Sequence, residues 1–68
     1  MITVNVNYNG RRYKGTLVTY NQSTDLYGVD VSLDGKPSEM LTIGGEELRS
    51  LNPNLQVGRP GKSLKNWL

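Results

Sequence analysis

The sequence predicts an all-β domain, a small, strongly bent, five-stranded open barrel. Three observations predict it. Apolar and polar residues alternate with a period of two from Ile2 to Tyr8. Asn9-Gly10 and Asp34-Gly35 are dipeptides that favour hairpin turns. A glycine, Gly15, stands in the middle of a long second strand, where a sharp bend would need it.

The first element is a hairpin. A two-residue turn at Asn9-Gly10 pairs Tyr8 with Arg11, Val6 with Tyr13, Val4 with Gly15 and Ile2 with Leu17. That register puts Ile2, Val4, Val6, Tyr13 and Leu17 on one face. Thr3, Asn5, Asn7, Arg12, Lys14 and Thr16 fall on the other, so turn and pattern agree. The second strand runs from about Arg11 to Tyr20, and the polar run 21–25 turns the chain. Residues 26–33 form the third strand.

The loop after Asp34-Gly35 sets the next register. A strict two-residue turn would pair Val29 with Met40. One extra residue pairs Val29 with Leu41 and Tyr27 with Ile43, which buries more apolar surface and is the expected arrangement. A short fourth strand over 39–43 ends at Gly44-Gly45. Alternation from Glu47 to Leu51 predicts a fifth strand, which Pro53 ends.

Residues 1–52 thus make the barrel domain and 53–68 a C-terminal tail. In the tail Leu64, Trp67 and Leu68 fall at i, i+3 and i+4, the spacing of one amphipathic turn that would serve as a short docking segment.

The chain has 68 residues, enough for one domain. A domain of this size buries only about 60% of the surface its unfolded chain exposes. There are no cysteines and no histidines, so disulfides, thiolate or imidazole metal sites and a histidine general base are all excluded. Self-association is the remaining staple. No run of about 20 apolar residues is present, and the alternating N-terminus does not read as a signal peptide, so a cytoplasmic protein with no membrane partner is expected.

The six carboxylates read as surface solvation and no serine sits in a nucleophile-elbow context, so neither an enzyme nor a cofactor is expected. Charge is uneven. Residues 1–20 carry Arg11, Arg12 and Lys14 and no acid, and 51–68 carry Arg59, Lys62 and Lys65 and no acid. This basic bias suits nucleic acid.

Two stretches carry a family resemblance. Val4 and Val6 lead into Gly10-Arg11-Arg12-Tyr13-Lys14-Gly15-Thr16-Leu17, followed by Tyr20 and Leu26, and this resembles the first Sm motif of the Sm and Sm-like (Hfq-type) proteins. Ile43-Gly44-Gly45-Glu46-Glu47-Leu48-Arg49-Ser50-Leu51 is similar to the second. The resemblance covers about residues 2–52. It implies an SH3-like barrel whose fourth strand pairs with the fifth of the next copy, closing a homo-oligomeric ring of about five to seven subunits. Leu41, Ile43, Leu48 and Leu51 would line that interface.

The resemblance also implies RNA binding at the pore. The matching loop positions are Asn21, Ser23 and Asp25 after the second strand and Gly44 and Gly45 in the second motif. Ser23 stands where the family has a stacking side chain, Asp25 where it has an asparagine and Gly44 where it has an arginine. The uridine pocket is therefore degenerate, and Arg11, Arg12 and Lys14 become the basic patch expected to hold RNA. The alternatives are a ring-forming protein scaffold without RNA, docking through the Trp67 tail, and a monomeric SH3-like peptide-binding module.

Overall fold

The computed structural model describes residues 1–33 and 35–58. Four strands form one antiparallel meander in the order β1-β2-β3-β4: β1 (Thr3–Tyr8), β2 (Arg11–Asn21), β3 (Leu26–Val31) and β4 (Glu39–Gly44). Among the described residues a single short helix, α1 (Gly45–Leu51), follows directly. Asp34 and the segment 59–68, with Arg59, Lys62, Leu64, Lys65, Trp67 and Leu68, lie outside the described residues.

The first hairpin has the expected register, with Tyr8 opposite Arg11, Val6 opposite Tyr13 and Val4 opposite Gly15. Its turn residues Asn9 and Gly10 take φ of 50° and 78°, the left-handed values a tight hairpin requires. The longer-loop register of β3 and β4 is also observed, with Val29 opposite Leu41 and Tyr27 opposite Ile43. Val4, Val6, Leu17, Tyr27, Val29, Val31 and Ile43 turn to one side and form the core, with Ile2, Tyr13, Tyr20, Leu33 and Leu41 packed at its margin.

Two features curl β2. At Gly15 a Cβ would lie 2.6 Å from Val29 Cγ1 and 2.8 Å from Val31 Cγ2, so only glycine lets the strands approach here. Between Leu17 and Thr19 the register with β3 slips, leaving Val18 as the extra residue of a β-bulge. The bulge changes which face later residues occupy. Without it Tyr20, three residues after the buried Leu17, would point outward. With it Tyr20 stands opposite Tyr27, their ring centroids 4.5 Å apart and the planes tilted by 37°.

The expected fifth strand is not formed. Residues 45–51 are helical, with Gly44 at the N-cap, Glu46 and Glu47 in the first turn and Arg49 in the last, an order that suits the helix dipole. Leu48 and Leu51, three apart, share one helix face, whereas in a strand they would point to opposite faces. Leu48 is fully buried over the core.

The domain also runs past residue 52. Leu55 and Val57, assigned to the tail from the sequence, are 6% and 5% exposed and belong to the core. Asn52 anchors this return. Its side-chain Oδ1 accepts from the Asn5 backbone N–H (2.7 Å), and its Nδ2 donates to the Asn5 carbonyl (2.9 Å) and the Leu48 carbonyl (2.8 Å). The amide thus stands in for a neighbouring strand on the outer edge of β1 and caps α1 at the same time.

Two outcomes are expected. Leu55→Ala should cost about 2–5 kcal/mol, most of the stability of a domain this small, and a chain cut after Pro53 should lose cooperative unfolding in urea. Asn52→Asp, which keeps the acceptor but cannot donate when ionised, should destabilise by about 1–3 kcal/mol in the same assay.

Candidate functional site

The residues singled out from the sequence fall into two groups at opposite ends of β2. Asn21 lies nine positions after Arg12, about 30 Å of strand at ~3.3 Å per residue. The structure does not bring the basic patch and the loop positions together.

The loop end is a polar clamp. Asn21 Oδ1 accepts from the backbone N–H of Ser23 (2.9 Å) and Thr24 (3.3 Å), which shapes the turn and leaves the Ser23 side chain exposed. Asp25 follows with φ of 54°, a left-handed value that aspartate tolerates. Its carboxylate receives a two-pronged bond from Arg49, Nη1 to Oδ1 at 2.9 Å and Nη2 to Oδ2 at 2.8 Å. The Tyr20 hydroxyl donates to the same Oδ1 at 2.8 Å. Arg49 Nη1 also donates to the Tyr27 hydroxyl oxygen at 3.2 Å, and the Tyr27 hydroxyl donates to the Val57 carbonyl.

Gly45 completes the clamp. Its N–H donates to the Asp25 carbonyl at 2.8 Å, and a Cβ there would collide with the Asp25 carboxylate. Gly44 differs: it is exposed, with nothing within 4 Å of where a Cβ would project. Of the five loop positions, then, Asn21, Asp25 and Gly45 are committed to internal contacts. The partner of Asp25, Arg49, went unassigned in the sequence. The two are 24 positions apart, and no local pattern links them.

The electrostatics follow from these bonds. The Arg49 hydrogen bond, then that from Tyr20, holds the Asp25 carboxyl down to about 2. The hydrogen bond to Asp25 raises Tyr20, and the same carboxylate raises Arg49. A carboxyl depressed in the folded state adds stability that is present above about pH 4 and is lost as the pH falls through about 2.

The hairpin end is the cationic one. On the outer face Arg12 Nε donates to Asn7 Oδ1 (3.1 Å) and Lys14 Nζ to Asn5 Oδ1 (3.4 Å), each bond made to the residue directly across the hairpin. Arg11 places its guanidinium carbon 5.7 Å from the centre of the Tyr13 ring, within cation–π range. Beside it a cleft of about 390 Å³ is lined by Tyr8, Asn9, Tyr13, Leu33, Lys36 and Glu39. Tyr13, expected in the core, is half-buried at this mouth. No acidic side chain lies on β1 or β2.

Of the four leucine and isoleucine positions assigned to an oligomer interface, Ile43 and Leu48 are buried in the protein's own core. Leu41 and Leu51 are half-buried, and Leu51 lines a groove of about 470 Å³ between the start of β1 and residues 51–57. Among the described residues no group of acidic side chains is placed to hold a metal ion, and no helix is long and apolar enough to cross a membrane. No protein-family model, curated protein or solved structure matches the chain.

Asp25→Asn should lower the urea midpoint at pH 6, with the difference from the unaltered protein shrinking as the pH approaches 2. Gly45→Ala should destabilise through the same clamp, so the double variant should lose less than the two single losses added together. Equilibrium unfolding of the four proteins checks both.

Proposed function

We propose that this domain binds RNA at the hairpin end of the barrel, mainly through the phosphate backbone and with little preference for uridine. The observation that carries the reading is the concentration of cations at the hairpin end: Arg11 lies over the Tyr13 ring beside a cleft that Tyr8, Tyr13 and Lys36 line together with one acid, Glu39, and Arg12 and Lys14 stand on the outer face of the same hairpin. Arginine and lysine neutralise phosphates without regard to sequence, and an aromatic wall accepts any base by stacking. The bonds from Asn5 and Asn7 hold Lys14 and Arg12 in place without neutralising them. The motifs that resemble the Sm-like family favour RNA as the polymer.

Uridine selectivity is not expected, for a local reason. Asp25, at the position of the family's base-reading amide, is engaged by Arg49 and Tyr20 and offers no donor. Gly44 supplies no cation, and Ser23 has no ring to stack.

The groove between β1 and residues 51–57 favours a second reading, a peptide-binding module, because Ile2, Leu51, Pro53 and Leu55 give it an apolar lining. The two readings predict different footprints on the same molecule.

Fluorescence anisotropy with oligouridine and oligoadenine should give similar affinities. With three phosphate contacts the slope of log affinity against log salt should be about −2 for a single strand, falling to about −0.7 in Arg12→Ala/Lys14→Ala. Tyr8→Ala should cost about 1–3 kcal/mol of binding if a base stacks there. In amide NMR spectra RNA should move residues 8–14. Salt-insensitive binding, or shifts confined to 51–57, would overturn the RNA reading in favour of the groove.

A further inference from the structure

At the hairpin end the core face of the sheet passes from apolar to polar side chains. On β1 the face of Val4 and Val6 continues to Tyr8, and on β2 the face of Leu17 and Gly15 continues to Tyr13, which stands opposite Val6. On β4 Glu39 shares its face with Leu41 and Ile43 and stands opposite the buried Val31. The alternation of the strands therefore directs two tyrosines and one carboxylate to the same mouth. There they line the cleft of about 390 Å³ with Asn9, Leu33 and Lys36.

Glu39 is the member of this set that phosphate binding does not explain. A carboxylate repels the RNA backbone, yet this one lies on the core face of its strand, beside the cations. Among the described residues no cation is bonded to it. An ionised carboxylate only accepts hydrogen bonds, and it is best satisfied by two parallel donors. In single-stranded RNA such donors come from the Watson–Crick edges of unstacked bases. Guanine alone presents two adjacent donors there, N1–H and N2–H. Adenine and cytosine place an amino group beside a ring acceptor, and uracil sets one N–H between two carbonyls.

We propose that the cleft admits one unstacked guanine base, whose ring lies against the tyrosine wall and whose N1–H and N2–H donate to the Glu39 carboxylate. The Lys36 ammonium and the Asn9 amide supply donors for the guanine O6 from the same cleft. This inference rests on the RNA reading and adds a base preference to it. The cations hold the polymer and the tyrosines accept any ring, so the choice of base falls to the acid. Oligouridine and oligoadenine remain equivalent, because neither offers the paired donors.

The test uses six-nucleotide uridine strands, either unaltered or carrying one guanosine, inosine or adenosine near the centre. In fluorescence anisotropy the guanosine strand should bind at least about fivefold more tightly than the all-uridine strand, the low end of what a bidentate base contact contributes. Inosine keeps N1–H but lacks the 2-amino group, so it should lose most of that gain, and adenosine should lose all of it. Glu39→Gln should abolish the guanosine preference and bind the all-uridine strand slightly more tightly, because a negative charge leaves the cleft. Equal, salt-dependent binding of all four strands, inosine bound as tightly as guanosine, or a guanosine preference that survives in Glu39→Gln would each overturn the inference and leave RNA binding standing. If no strand binds, the RNA reading falls and this inference falls with it. If Glu39→Gln fails to fold, the comparison of guanosine with inosine on the unaltered protein decides.

Discussion

The two-pronged bond between Asp25 and Arg49 holds the parts of this small domain in place. It ties the turn after β2 to the last turn of α1, across 24 positions of sequence. Through the Tyr27 hydroxyl the same network reaches the Val57 carbonyl and so fixes the chain that returns over the core. Each neighbouring feature serves that bond. The bulge at Val18 turns Tyr20 inward to donate to the carboxylate, and Gly45 leaves room for it. The pair is only partly sheltered, with 19% of the Arg49 side chain and 41% of the Asp25 side chain exposed. Its role is therefore better understood as positioning than as bulk stabilisation, because solvent screens a pair so placed.

A residue held this way is withdrawn from recognition. Asp25 and Gly45 hold the loop end of the sheet, while the cations of β2 collect at the hairpin end. There the sheet is shaped by backbone alone, through the left-handed Asn9-Gly10 turn and the close approach at Gly15. Arg11 lies over the Tyr13 ring there, and Arg12 and Lys14 are bonded to Asn7 and Asn5 across the hairpin. The structural clamp and the proposed binding residues occupy different ends of one long strand.

Most of the sheet was legible because its register is fixed locally. Asn9-Gly10 sets one pairing, and the burial of Val29 and Tyr27 opposite Leu41 and Ile43 sets another. The stretch 45–51 misled because the short polar–apolar alternation around Leu48 suggests a strand, while the spacing of three between Leu48 and Leu51 fits one helix face and not one strand face. What separates the two is Leu48 packing on the core, a long-range fact. Leu55-Gln56-Val57 does alternate, but it sits among Pro53, Asn54 and Gly58, residues that signal an ending. At the candidate site the cations were legible from composition, whereas the engagement of Asp25 was not, since its partner is distant in sequence and joined to it only by the fold.

The Asn52 side chain, by filling the middle of the β1 edge, alters how many other sheets this one can join. In the language of step-growth polymers, a sheet with two reactive edges is a bifunctional monomer and can grow into a fibre. Here one amide occupies the centre of one edge, so among the described residues only β4 keeps its outward backbone groups wholly unoccupied. The Asn52 amide thus blocks the middle of one of the two edges through which the described sheet could extend.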